Sequence, residues 1–454
     1  MRNGERNLKI IKIIGAGLAG SEAALQLADN DWQVELYEMR PQVQTPAHHT
    51  ADFAELVCSN SLKSKLITTA SGLLKAEMKI LGCKLLPIAE ECCVPAGNAL
   101  AIDRKLFSRK VTKLIENHPN IKVHREEVTE LNYELTIVAT GPLTSENLTQ
   151  SLIEIIGNEQ LYFFDAIAPI VSAESLDRNI IYEKTRYDKG EADYLNCPFS
   201  KDKYLQFAEA LNEAEKHEAK EFESKFFSKI DFHFYENCIP IEELAKRGKD
   251  TLRYGVMRPV GLEDPKTGER PYAVIQLRTE NKDKTSYNLV GCQTMLKYGE
   301  QKRIFRMVPG LEKAEFLRFG SIHRNTYLNA PHILNEKLSL KNKPNIYIAG
   351  QLSGVEGYVE SILSGLLVSR IINKMLRFEQ FRDFRSFQNF GSLLPETTIS
   401  GQLWRYLITE NKNFQPMKAN FGLLPPLEEK IKDKRLKKEK LAERALRDIG
   451  KVLE

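Results

Sequence analysis

Cysteine is sparse in this 454-residue chain: seven residues, an odd number, with no C-x-x-C pair among them. That argues against a disulfide-stapled framework, and the spacing of Cys83, Cys92, Cys93, Cys197 and Cys292 fits no zinc motif. A cytoplasmic protein with free thiols and no metal is expected, leaving Cys58 and Cys238 to be judged by their surroundings. Net charge is also lacking. Sixty-five Lys and Arg against 61 Asp and Glu leave +4, so nucleic-acid binding has to be argued from local clusters. No apolar run is long enough to span a membrane; Ile362–Leu376 is broken by Arg370 and Lys374. The basic-then-apolar start, Arg2 to Ala28, is interrupted by Lys12, so no secretory leader is expected. There is no internal repeat. What is present is an ordinary globular composition, 42% hydrophobic and 28% charged, with length for two or three domains of about 150 residues.

The clearest unit lies at the N-terminus. A β-branched strand, Lys9–Ile14, runs into GAGLAG (Gly15, Ala16, Gly17, Leu18, Ala19, Gly20), then into SEAALQLADN at helical spacing. A second strand, in QVELYEMRP, ends at Glu38. Each part has a physical task in dinucleotide binding. Gly15 makes the tight turn, Gly17 lets a pyrophosphate approach the backbone, and Gly20 lets helix and strand pack closely. The helix N-terminus holds the phosphates and Glu38 accepts a ribose hydroxyl.

Two further segments complete the pattern. LTIVATGP carries Thr140 and Gly141 at a strand end, and NIYIAGQLSG carries Gly350 and Gln351 at another, ahead of a helical VEGYVESILSGLLVSR. Together with the first unit they resemble the two-part FAD domain of the glutathione-reductase type. The resemblance implies an α/β fold, a two-part FAD-binding Rossmann domain with an inserted α+β domain. The expected boundaries are 8–170 and 331–426 for the two FAD-binding parts and 171–330 for an insertion placed over the flavin. A C-terminal amphipathic helix is expected over 427–454, read either as a solvated helix packed on the body or as an arm touching RNA. No second G-x-G-x-x-G exists, so a nicotinamide donor has no Rossmann domain of its own.

Chemistry concentrates at two cysteines. In YENCIPIEELAKRG, Pro240, Glu242, Glu243, Lys246, Arg247 and Gly248 spell a short helix with Cys238 just ahead of it. Positive partial charge there favours a thiolate, while the two glutamates oppose it; a buried inert thiol is the alternative. Cys58, in FAELVCSNSLKS, is ambiguous by itself. Basic residues interleaved with aromatics follow: Lys246, Arg247, Lys249, Arg253 and Arg258, then Lys297, Lys302, Arg303 and Arg306, then Arg318, His323 and Arg324. That mixture suits phosphate tracking and base stacking, or separate solvated faces.

At length the motifs become specific. GAGLAGSEAA, TPAHHTADFAELVCSNSLKS, VPAGNALAIDR, RYDKGEADYLNCPF, CIPIEELAKRG, RPVGLEDPKTGERPYAVIQLR, AGQLSGVEGYVESILSGL and NFQPMKANFGLLPPL resemble the folate- and FAD-dependent tRNA (uracil-5-)-methyltransferase family, TrmFO, from about residue 9 to 447. The resemblance implies methylation of C5 of uridine 54 in the tRNA T-loop. The one-carbon unit comes from 5,10-methylenetetrahydrofolate and the reducing equivalents from FAD recharged by NAD(P)H. It implies Cys238 as the nucleophile at C6, and Cys58 beside the flavin, associated with removal of the C5 proton. Cys197 matches a family cysteine without a chemical role. Two departures stand out. CQTMLKYGEQ has Met295 and Tyr298 where the family has histidine and tryptophan, and Asn98 replaces a glycine. The alternatives are the same chemistry on a 23S rRNA uridine, or a flavin oxidoreductase acting on a small substrate. A disulfide reductase is disfavoured because Cys58 has no partner at C-x-x-x-x-C spacing.

Overall fold

Four isoleucines around Lys12 make the first strand, β1 (Ile10–Ile14), and the last two are buried. A strand apolar on both faces belongs inside a parallel sheet covered on both sides, and β1 is the middle of one. In this computed structural model, which describes residues 10–131, 134–157, 160–188, 193–216, 239–381, 394–411 and 414–451, it pairs in parallel with β2 (Gln33–Tyr37) and β7 (Thr136–Val138). β6 (Ile121–His124) extends the sheet beyond β2, and β17 (Lys343–Ile348) extends it beyond β7, both parallel. The antiparallel β16 (Ser339–Leu340) closes that edge. The chain thus builds outward on one side of β1 and returns to the other side, which leaves a crevice at the carboxyl ends of β1 and β7.

Helices cover this sheet. The buried helix α1 (Leu18–Ala28) crosses the long helix α7 (Tyr358–Phe381) at close range. Gly365 permits the approach, because a Cβ there would lie 2.2 Å from the Ala19 carbonyl oxygen. α2 (Ala70–Ile80) and α3 (Arg104–Glu116) start on side-chain caps, Thr69 and Asp103, each accepting from a first-turn N–H. α8 (Ile399–Ile408) is held in a similar way from a distance. Glu77 of α2, fully buried, accepts from Ile399 N at 2.9 Å and Ser400 N at 2.8 Å. Burial nevertheless pushes the Glu77 carboxyl up to about 7. α9 (Lys434–Gly450) packs on α2 through Leu441, Ala442, Ala445 and Ile449, all buried.

A second, antiparallel sheet has its own core. Its order is β10 (Tyr182–Glu183), β11 (Tyr194–Phe199), β12 (Ala273–Thr279), β13 (Ser286–Leu289), β9 (Ile170–Ser172) and β14 (Phe316–Arg318). Phe199, Tyr204, Phe207 and Phe305 fill the space beneath it, the last three from helices α4 (Lys201–Glu213) and α6 (Tyr298–Phe305). The chain leaves the first sheet along β8 (Gln160–Ile167) and returns along β15 (Ser321–Leu328), and these two strands pair antiparallel over their full length. A small sheet, β3 (Ser61–Ser64), β5 (Ala99–Ile102) and β4 (Cys93–Val94), lies between the larger two. Among the described residues no helix is long and apolar enough to cross a membrane.

Gly365→Ala tests the α1–α7 crossing. The added methyl overpacks two backbones and is expected to cost about 1–3 kcal/mol, read as a lower urea midpoint with an unchanged slope. Gly299→Ala in α6, where a Cβ meets nothing within 4 Å, is expected to leave the midpoint unchanged or raise it.

Candidate functional site

The crevice at the β1–β7 switch holds a cleft at the place where open α/β sheets bind their ligands. Gly15, Gly17, Glu38, Arg40, His48 and Thr140 are among the residues lining it. The glycine loop is shaped for a close ligand. Gly15 has φ +94° and a Cβ there would strike the Ala139 carbonyl at 2.7 Å, while a Cβ on Gly20 would lie 1.8 Å from the Gly15 oxygen. At Gly17 nothing lies within 4 Å, so backbone is open to the cleft where a pyrophosphate would approach. Gly17 is also the N-cap of α1 and offers no side-chain cap, which leaves first-turn N–H groups for a ligand.

The other loop residues serve packing. Ala16, Leu18 and Ala19 are buried, and Ala19 faces Gly350 and Gly365. Gly350 has φ +75° and donates its N–H to Ser364 Oγ at 2.6 Å; Gln351 begins a short turn ahead of α7. Thr140 bonds Thr144 through their hydroxyls at 2.6 Å, and Gly141 follows with φ +69°.

Glu38 stands at the other end of the cleft in a network that sequence reasoning missed. Its Oε2 accepts from Ala16 N at 3.2 Å, and its Oε1 accepts from the backbone N–H and Nε of Arg40 at 3.1 and 2.9 Å. Burial pushes the Glu38 carboxyl upward, but the Arg40 bond and charge outweigh it and hold the group below the usual carboxylate range. Arg40 is 2% exposed and reaches further, to Glu55 Oε2 at 3.0 Å and the carbonyls of Thr50 and Asp52. His48, beside it, is driven down to about 4 by burial and by the Arg40 charge, so at neutral pH it is an uncharged imidazole facing the cleft.

From Glu55 the chain passes to Cys58, half-buried and pinned from three remote segments. Arg104 of α3 donates to the Leu56 carbonyl at 2.9 Å, and Arg318 of β14 donates to the Val57 carbonyl at 2.7 Å. The Cys58 N–H donates to Tyr358 Oη at 2.7 Å, at the start of α7. Ala54 N, four residues earlier, bonds the Ala16 carbonyl at 2.9 Å and joins this segment to the glycine loop. Arg104 is paired with Glu280 at 3.1 Å. Arg318 has burial and the Arg104 charge against it, which pull its pKa down, and it lies close enough to feel charge on Cys58. Asn60 then links the sheets, donating to Thr279 O at 2.9 Å and accepting from Arg278 Nε at 2.8 Å.

Cys238 lies outside the described residues. The helix expected after it is present as α5 (Ile241–Lys246), with Pro240 as its N-cap. Its register is fixed by the segment that carries Met295. Ile241 N bonds Gln293 O at 2.7 Å, and Glu242 accepts from Thr294 Oγ1 at 2.9 Å and Met295 N at 2.7 Å. Glu242 is fully buried, which pushes its carboxyl up. The remaining cysteines differ in environment. Cys83, Cys92, Cys197 and Cys292 are buried and burial pushes their thiols up, whereas Cys93 is exposed. Among the described residues no group of three His, Cys, Asp or Glu is placed to hold a metal.

Much of the basic cluster that the sequence offered for RNA is spent on internal bonds. Arg253 caps Tyr272 O and stacks on its ring at 4.2 Å, Arg306 bonds Ala314 O, Arg303 pairs with Glu300, and Lys297 pairs with Glu215. Sequence cannot separate a solvated base from one folded onto a carbonyl.

Cleft, glycine loop and two-part sheet define the class: a FAD-binding Rossmann-type fold. Aquifex aeolicus GidA superposes on 98% of the chain and 74% of its own length, with TM-score 0.66 at 14% identity. The family model described as Glucose inhibited division protein A matches residues 10–379. A methylenetetrahydrofolate–tRNA-(uracil-5-)-methyltransferase TrmFO of Bacillus subtilis (strain 168) is 51% identical over 447 residues, 98% of this chain and 99% of that protein. One from Bacillus cytotoxicus is 50% identical over 442 residues, 97% and 98% of the two chains. The chain belongs to the TrmFO family within the GidA group.

Arg40→Leu tests the ion network. It leaves Glu38 and Glu55 buried without their cation and is expected to cost about 3–5 kcal/mol at neutral pH. Because Glu38 is held below its ordinary value, its contribution is full above that value and is lost as the pH falls through the folded-state pKa. The deficit of the variant is therefore expected to shrink on acidification below the ordinary carboxylate range, in urea titrations at a series of pH values.

Proposed function

We propose that this protein methylates C5 of uridine 54 in the tRNA T-loop, with 5,10-methylenetetrahydrofolate as the one-carbon donor. The observation that carries the reading is near-full-length identity of about one half to the methylenetetrahydrofolate–tRNA-(uracil-5-)-methyltransferases. The cleft agrees with it: open backbone at Gly17, an uncapped α1 and the Glu38 carboxylate suit a dinucleotide's phosphates and ribose. Bound FAD would supply reducing equivalents, drawn from NAD(P)H.

The residues divide the remaining work. The thiolate of Cys238 adds to C6 of the uracil and makes C5 nucleophilic toward the methylene carbon. Cys58 takes the C5 proton as the bond from the methylene carbon to the folate nitrogen breaks and tetrahydrofolate departs. The exocyclic methylene left on C5 needs one hydride equivalent, from reduced FAD, and its arrival lets the Cys238 sulfur leave and the 5–6 double bond return. Arg104 and Arg318 act as positioning residues. They fix the backbone on either side of Val57 and place positive charge near the Cys58 sulfur. Glu242 positions the segment bearing Met295 against α5. Met295 would face folate through a thioether instead of an imidazole, a sulfur–aromatic contact. That substitution is also the observation favouring a second reading, the same chemistry on a 23S rRNA uridine. A cytoplasmic setting is consistent with either RNA.

The test uses FAD-loaded protein, NAD(P)H, labelled methylenetetrahydrofolate and unmodified tRNA or 23S rRNA transcripts. Label is expected in tRNA at the T-loop uridine; label in neither RNA refutes the reading, and label in rRNA alone selects the second. Cys58→Ala is expected to slow tritium release from C5 of labelled uridine by about 100-fold or more, with flavin retained. Cys238→Ala is expected to abolish the covalent adduct with 5-fluorouridine RNA, and a persisting adduct would assign the attack on C6 to another group.

A further inference from the structure

We propose that the basic end of α9, with the segment just before it, is the surface on which the sugar–phosphate backbone of the RNA docks. This rests on the reading of the protein as an RNA methyltransferase. Residues 430–440, KIKDKRLKKEK, hold seven cations against two carboxylates, a net +5 in eleven residues where the whole chain carries +4. The two carboxylates are already engaged. Asp433 caps the helix by accepting from Leu436 N at 2.7 Å, and Glu439 pairs with Arg435 at 3.0 Å. Lys440 pairs with Glu443 at 2.8 Å. That leaves Lys430, Lys432, Lys434, Lys437 and Lys438, all exposed and none in an ion pair with a described residue.

Helix stability does not account for this arrangement. Cations in the first turns lie against the positive end of the helix dipole, where acidic residues would be stabilising, and α9 has no acid in its first turn. Mutual repulsion adds to the cost. The helix is held instead by its other half, through the buried face against α2, Arg444 on the carbonyls of Pro425 and Pro426, and Thr397 on Asp448 at 2.8 Å. A rigid helix anchored at one end thus presents unneutralised charge at the other, an arrangement that complements polyphosphate.

A chain of bonds leads from this end of α9 toward the candidate site. Lys438 Nζ lies 5.8 Å from the centre of the Phe421 ring. Just before Phe421, Ala419 N bonds Glu360 at 3.0 Å, and Met417 exchanges backbone bonds with Gly354 and Glu356. Glu360 pairs with Lys63 at 3.4 Å and lies two residues beyond Tyr358, which holds the Cys58 N–H. Bonds through this loop thus link the base of α9 to the start of α7, which holds the Cys58 N–H.

The experiment compares full-length, FAD-loaded wild type with a Lys434→Ala/Lys437→Ala/Lys438→Ala variant and its all-Arg counterpart. Binding of an unmodified tRNA transcript is measured between about 50 and 200 mM salt. For the alanine variant we expect a salt slope shallower by about 2–3, affinity at least about tenfold lower, and an unchanged melting midpoint and flavin content. The arginine variant should bind like wild type. An alanine variant with wild-type affinity and slope overturns the inference while wild-type methylation leaves the functional reading standing. Equal loss in both variants also overturns it, since charge would not be the cause. If wild type neither binds nor methylates the tRNA transcript or a 23S rRNA transcript, the functional reading falls and takes this inference with it.

Discussion

A single buried guanidinium sets the geometry from which much of the candidate site follows. Arg40 neutralises Glu38 and Glu55 and takes two carbonyls of the intervening loop, so four acceptors from one short stretch converge on one rigid fork. Glu38 is thereby aimed at the cleft with one oxygen on the glycine loop. Glu55 is fixed at the root of the segment that reaches Cys58. Removing two carboxylates and a guanidinium from water is costly, and only this dense set of partners offsets it. The Glu38 end of the cleft and the cysteine arm are consequently parts of one network.

The second unit meets this network through a few directed bonds. Asn60 uses both ends of its amide, giving to Thr279 and taking from Arg278, while Arg104 pairs with Glu280 and Arg318 reaches back to Val57. Each of these comes from an element with its own core, so the Cys58 arm is gripped between two independently packed bodies. Position is then controlled by rigid strands and helices on both sides, the arrangement that keeps reacting groups in register.

What could be read in the sequence follows from how local each signal is. The glycine loop and Glu38 lie on consecutive elements at fixed spacing, so the strand–loop–helix–strand order declares them. The short helix after Cys238 is equally local, its proline, early glutamates and late bases being written in eight residues. Arg40 sits in the same stretch as Glu38, yet nothing nearby says that its side chain turns inward. Arg104, Arg318 and Tyr358 come from three separate elements and meet only because the sheets do. The interleaved bases are open to two readings for a related reason: Arg253 and Arg306 look free in sequence and are bonded to carbonyls in the fold.

The paired strands β8 and β15 have a consequence for how the two units are joined. Ile167 lies directly opposite Ser321, so the places where the chain enters and leaves the antiparallel unit are neighbours. A tight turn could join them without moving either strand, leaving a hairpin on the nucleotide-binding body. In topology the antiparallel unit is a cassette spliced into a loop. Its sequence is tied to the parallel body where Arg278, Thr279 and Arg318 meet the Cys58 arm.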